Sequence, residues 1–273
     1  MTASTKEIYT QNSFNGGHTL TDYNEFKKEC SAEIFTMARD EDLSAKTLDW
    51  MQTANKHKYS YHYEWLGRPI IQFPQDIVAL QEIIWSNKPD LVIETGIAHG
   101  GSLILNASIL ALLDLFDFES GMKITRPRKV LGIDIDIRSH NKKAIQSHPL
   151  SSRIQMLQGS STNKEILAQV EDFKKDYNRI MVILDSNHTH DHVRDELNLY
   201  SRLVSPGQYL VVFDTIIERF QEGTYTDRSW DKGNNPMTAV NEFLAISKDF
   251  VVDDEIENKL QITVAPRGYL RRK

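Results

Sequence analysis

Five short apolar runs, each closing on a carboxylate or a glycine and each separated by helix-forming sequence, constrain this chain more than any other feature. They are LVIE (91–94), VLGIDID (130–136), IQMLQG (154–159), IMVILD (180–185) and QYLVVFD (208–214). The runs are apolar throughout rather than alternating, the pattern of strands buried on both faces. Between them lie stretches with helical periodicity at 103–116, 141–148, 163–173 and 192–204, and another precedes the first run at 75–88. Strands alternating with helices predict a parallel sheet covered on both faces. After residue 236 the order becomes helix (237–247), FVVDDE (250–255) and the strand-like ITVAP (262–266), which suits an antiparallel edge.

The 273 residues suffice for one large core or two small ones. Residues 1–74 differ from the rest: polar and aromatic, with a helix expected near Tyr23–Met37, then the cluster Lys56, His57, Lys58, Tyr59, Tyr61, His62, Tyr63 and Trp65. This segment reads as an N-terminal extension, serving as a lid, as a homo-oligomer contact, or as packing over the core; residues 75–273 form the main domain. A formal charge of −6 supplies no basic excess for binding nucleic acid. No apolar stretch is read as approaching the roughly 18 uncharged residues of a membrane span. Cys30 stands alone and the start MTASTKEIYTQNSFNGG has no secretion pattern, so a cytoplasmic location is expected.

In open α/β sheets ligands bind beyond the carboxyl ends of the strands, at the switch in strand order. Five stretches should meet there. Glu94-Thr95-Gly96-Ile97-Ala98-His99-Gly100-Gly101-Ser102 offers a carboxylate and three glycines, but matches neither G-x-G-x-x-G nor GxxxxGK[ST], which disfavours both a nicotinamide dinucleotide and a nucleoside triphosphate. Asp134 is placed to accept hydrogen bonds from ribose hydroxyls, and Asp136 reads as that or as a solvated loop acid. Ser160 and Ser161 follow Gly159 as small polar groups for an adenine edge. Asp185 and Asp214 end neighbouring runs and, with Asn187, supply oxygen donors of the kind Mg²⁺ takes. His188, three residues past Asp185, is in reach of a substrate hydroxyl, and imidazole is a side chain suited to act as a base near neutrality. His190 and His192 read as surface histidines opening a helix, and the alternation of the three argues against zinc.

Taken together, LVIETGIAHGGSLI, VLGIDIDIRSHN, MVILDSNHTHDHVRDELNLYSRLVSPGQYLVVFDT and ITVAPRGYLRR resemble the cephalosporin hydroxylase family, whose members include rhamnosyl O-methyltransferases. The resemblance spans about residues 75–271. It implies a Rossmann-like, doubly wound, mostly parallel seven-stranded sheet with an antiparallel C-terminal strand, the fold of class I S-adenosylmethionine methyltransferases. It implies that Glu94, Gly96, His99, Gly100, Gly101 and Ser102 surround the methionine half of S-adenosylmethionine, that Asp134 holds the ribose, that Ser160 or Ser161 lies near adenine, and that Asp185 also belongs to the cofactor-binding set. Asp185 and Asp214 match metal ligands. Two departures weaken a Mg²⁺ site: Phe213 stands where the family usually has glutamate, and Asn187 where aspartate is common.

The implied reaction is in-line methyl transfer from a sulfonium to a hydroxyl of a small-molecule acceptor, a sugar or another polyhydroxylated natural product, with His188 as base. Tyr59–Trp65 and Trp230, in the loop 223–235, are candidates to stack on a sugar ring. Competing readings are an NAD-dependent oxidoreductase, a hydroxylase, for which no 2-His-1-carboxylate set is evident, and a catalytically silent subunit, suggested by Phe213.

Overall fold

The structure is a computed structural model, and residues 20–273 are described. The polar start of the chain lies outside the described residues. The central sheet runs β5 (Ile154–Gln158), β4 (Lys129–Asp134), β3 (Leu91–Thr95), β6 (Ile180–Leu184), β7 (Tyr209–Val212), β9 (Tyr269–Arg272), β8 (Phe250–Val252). The first five strands are parallel; β9 is antiparallel to both of its neighbours. The five parallel strands are as the runs predict and the seven-stranded, doubly wound architecture is as the resemblance implies, with the switch point between β3 and β6.

Each strand feeds both layers because successive side chains face opposite ways. Val92, Val130, Met181, Ile183 and Val211 pack towards helices α3 (Pro74–Asn87) and α4 (Gly101–Glu119). Leu91, Ile93, Leu131, Val182, Leu210 and Val212 pack towards α6 (Lys164–Lys174), α7 (His190–Tyr200) and α8 (Pro236–Ile246). Helix α5 (Ser139–Gln146) follows β4. By length and composition α4 is apolar enough to cross a membrane, contrary to the sequence-based expectation, with a mean hydropathy of 1.6. In the fold it is a core helix: Leu103, Ile104, Leu105 and Leu110 are inaccessible, and its Asp114 and Asp117 pair with the buried Arg128.

Two features depart from the sequence expectation. The closing strand is 269–272 rather than 262–266. Thr263 and the Val264 amide instead bind the carboxylate of Asp76, buried at the start of α3. Pro266, lacking an N–H, and Arg267, with φ 58°, turn the chain before it pairs with β7. The N-terminal region also holds more regular structure than the expected helix, which is α1 (Leu20–Met37): it adds α2 (Glu41–Asn55), capped by Asp40, and the hairpin β1 (Tyr63–Trp65) and β2 (Arg68–Ile70). A short helix α9 (Asp254–Leu260) completes the chain before β9.

Candidate active site

The loop after β3 is held by groups from three elements. Gly96 has φ 91°, and a Cβ there would sit 1.9 Å from the Asp185 carbonyl oxygen, so glycine is required for β3 to pass β6 this closely. The Ile97 and Ala98 amides donate to Asp134 Oδ2 at 2.8 and 3.3 Å, and the Asp136 amide donates to Oδ1 at 3.0 Å. Arg68 of β2 donates to the His99 carbonyl through Nε and Nη2, and Asn141 of α5 donates to the Ala98 carbonyl at 2.9 Å. The hairpin before residue 74 thus takes part in shaping the loop.

Glu94 is turned beneath this loop. It accepts from Ser102 Oγ and from Asn106 Nδ2, and burial pushes its carboxyl up to about 7. Its side chain is among the lining of neither adjoining cavity. The smaller cavity, about 40 Å³, is bordered by Gln72, Gly96, His99, Gly100, Ser102 and Asp185. The larger, about 270 Å³, is bordered by Gly96, Asp134, Ser160, Ser161, Ser186 and His192. Gly96 belongs to both.

His192 is the residue that sequence reasoning misplaced. It is part of the larger cavity, with Nε2 3.1 Å from Ser186 Oγ and 3.2 Å from Ser161 Oγ. Its i,i+4 partner Glu196 is inaccessible, accepts from Ser186 Oγ at 2.8 Å, and raises the imidazole pKa. A glutamate at a helix position otherwise occupied by core residues such as Val193 and Leu197 was the available signal. His190, by contrast, meets Thr238 and Glu242 as a structural histidine.

At the tips of β6 and β7, Asp185, His188 and Asp214 place one ligand atom each within 4.8 Å of one another. His188 Nε2 is 3.4 Å from Asp214 Oδ2, and the Trp230 ring meets the imidazole edge-on at 4.8 Å. Asp214 has φ 57°, an uncommon conformation for a residue with a Cβ. Asp185 receives one donor, Gln72 Nε2 at 3.2 Å. Its carboxyl is held well above the usual range by burial first, then by Asp214, Glu94, Glu196 and Asp76. The two departures supply no ligand: Phe213 is 2% exposed within the core, and Asn187 Oδ1 turns back to the amide and hydroxyl of Thr189.

The residues fit a sulfonium nucleoside and a divalent cation. The cavity beside Asp134, with Ile133 and Ile135 as apolar wall and Ser160, Ser161 and His192 as polar groups, suits a ribosyl purine, while Gln72 Oε1, buried without a partner among the described residues, borders the smaller one. The raised carboxyl of Asp185, crowded by Asp214, calls for a positive charge, and Mg²⁺ is commonly held through one or two carboxylates such as these.

The family described as Rhamnosyl O-methyltransferase/CmcI matches residues 57–273. The chain is 31% identical over 204 residues to a rhamnosyl O-methyltransferase of Mycobacterium bovis (strain BCG / Pasteur 1173P2), covering 72% of this chain and 73% of that protein. It is 30% identical over 216 residues to the rhamnosyl O-methyltransferase of Mycobacterium leprae (strain TN), covering 77% and 82%. A solved structure described as "cmcI-D160 Mg-SAM" superposes with a TM-score of 0.49 at 20% identity, covering 78% of this chain and 77% of that one. With the family match extending over most of the chain, this protein belongs to the rhamnosyl O-methyltransferase/CmcI family.

Proposed function

We propose that the protein is an S-adenosylmethionine-dependent O-methyltransferase acting on a hydroxyl of a sugar or polyhydroxylated natural product. The carrying observation is the meeting, at Gly96, of the nucleoside-sized cavity with the Asp185–His188–Asp214 cluster. The sulfonium of the cofactor supplies an already electrophilic methyl group. What remains for the chain is to align an oxygen in line at about 3 Å and take its proton.

Asp134 Oδ1, with one amide donor, keeps acceptor capacity for ribose hydroxyls. Ser161 and His192 present polar edges for the base, and Gly96 to Ser102 bring backbone close to the methionine half. His188 takes the acceptor proton, and Asp214 at its Nε2 stabilises the imidazolium so formed. A divalent cation on Asp185 and Asp214 would orient the acceptor and lower its hydroxyl pKa. The described part of the N-terminal extension, residues 20–74, is read as a lid.

The enzyme is further read as a cytoplasmic homo-oligomer that does not bind nucleic acid. The exposed Leu112, Leu115 and Phe118 along α4 support self-association, which light scattering measures, and the net charge of −6 argues against nucleic acid.

S-adenosylhomocysteine is expected to raise the melting temperature while NAD leaves it unchanged. Transfer of labelled methyl to a hydroxylated acceptor tests the activity. Full activity after EDTA treatment rejects the cation. Phe213 favours one other reading, a non-catalytic member, which predicts cofactor binding without transfer to any acceptor.

A further inference from the structure

A further cavity lies between the N-terminal segment and the loop after residue 220. Its volume is about 560 Å³, and its walls include Lys56, Lys58 and Tyr61 on one side and Tyr225 and Arg228 on the other. Asn55 Nδ2 donates to Tyr225 Oη at 3.2 Å, tying the walls together across 170 residues of sequence. Two successive contacts, through Arg228 and Trp230, link this cavity to the proposed base. The Arg228 guanidinium is 5.5 Å from the Trp230 ring centroid, and that ring is the one against His188. Burial first, and then the charge of Asp214, raise the pKa of the Tyr225 hydroxyl.

The cavity's charge departs from that of the chain. On the N-terminal side the wall is Gln52, Asn55, Lys56, Lys58 and Tyr61, with two lysines and no acid, in a protein of net charge −6. Lys56 and Lys58 form no ion pair among the described residues. Lys58 has φ 52° and ψ 43°, a left-handed conformation uncommon for lysine, within a turn in which its amide donates to Asn55 and its carbonyl accepts from Tyr61. Glu222 and Asp227 lie on the opposite wall, where Asp227 is a distant 3.9 Å partner of Arg228. Two unneutralised ammonium groups and a guanidinium beside two tyrosines match a sugar bearing an anionic group: the rings cover the apolar face of the sugar and the cations take the anion.

The geometry points to an anionic glycoside, a sugar carrying a phosphate or carboxylate, as the acceptor class, with Lys56 and Lys58 as its selectivity determinants. This rests on the methyltransferase reading above.

The test is titration of the full chain saturated with S-adenosylhomocysteine, using four probes: glucose 1-phosphate, glucuronate, methyl α-glucopyranoside and inorganic phosphate. Glucose 1-phosphate or glucuronate is expected to bind roughly tenfold more tightly than the neutral glycoside at low salt, the size of two partly exposed ion pairs. The preference should shrink as salt rises and vanish in Lys56→Gln/Lys58→Gln, but persist in the control Lys142→Gln/Lys143→Gln. Which of the two anionic sugars binds more tightly distinguishes phosphate from carboxylate. Equal binding of charged and neutral sugars, a preference surviving in the Lys56/Lys58 variant, or inorganic phosphate binding as tightly as the sugar phosphate would each overturn the assignment. Failure of the wild type to bind S-adenosylhomocysteine would instead overturn the methyltransferase reading, and the same titration without it would still decide the cavity.

Discussion

The two sides of the switch point treat their acids differently. On the cofactor side, Asp134 accepts three backbone amides and Glu94 accepts from Ser102 and Asn106. Across the switch point, Asp185 has one amide donor from Gln72, and Asp214 faces His188 at 3.4 Å. The first pair organises the loop before any ligand arrives. The second is left short of positive charge, and a buried carboxylate without compensation is costly. Acids at similar places on neighbouring strands thus divide into those that build the site and those that wait for a cation or a proton.

The sharpest way to break this comparison is at the base. His188→Ala is expected to lower turnover by roughly 10² to 10⁴, with S-adenosylhomocysteine affinity within a few-fold of wild type; an unchanged rate would remove His188 from the role. On the organised side the effect should fall on binding and stability instead. Asp134→Ala leaves the part-buried Ile97 amide without its acceptor and returns two exposed amides to water, and should lose about 2–3 kcal/mol in denaturant unfolding, with cofactor affinity falling more than saturated turnover. A variant as stable as wild type would show that the loop does not depend on this carboxylate.

Glu94 sharpens the comparison through pH. Its carboxyl rises from 4.5 to about 7 on folding, so the folded state binds the proton more tightly than the unfolded chain. The associated stability is fully present below about pH 4.5 and is lost as pH rises through 7, on the order of 2–3 kcal/mol. Glu94→Gln should flatten that part of the stability profile; an unaltered slope would locate the titration elsewhere. The smallest effect belongs to Asp185→Asn. Removing one of several crowded acids should raise the melting temperature of the ligand-free protein by a few degrees, about 1 kcal/mol, and abolish any shift caused by Mg²⁺. A persisting Mg²⁺ shift would place the cation elsewhere.

Much of this was legible from local pattern. The apolar runs specify β3 to β7, and because those strands are parallel their carboxylates must gather at one edge of the sheet. Partner choice was not legible in the same way. His192 reads as a surface histidine until the buried Glu196 and the serines of other loops surround it. The run 262–266 has strand composition, yet Asp76, nearly 190 residues earlier, draws its backbone away from the sheet. Asn55 meets Tyr225 across a similar distance in sequence.

The sequence by itself determined the order of strands and helices from β3 to β7 and which acids end those strands, since periodicity and residue type act over a few neighbours. Only the tertiary structure decided which of those acids are satisfied, that Phe213 is buried in the core, and that two lysines of the N-terminal segment face an arginine of the loop after residue 220. Those outcomes depend on contacts between residues far apart in the chain, whose desolvation and hydrogen-bond partners exist only once the layers have packed.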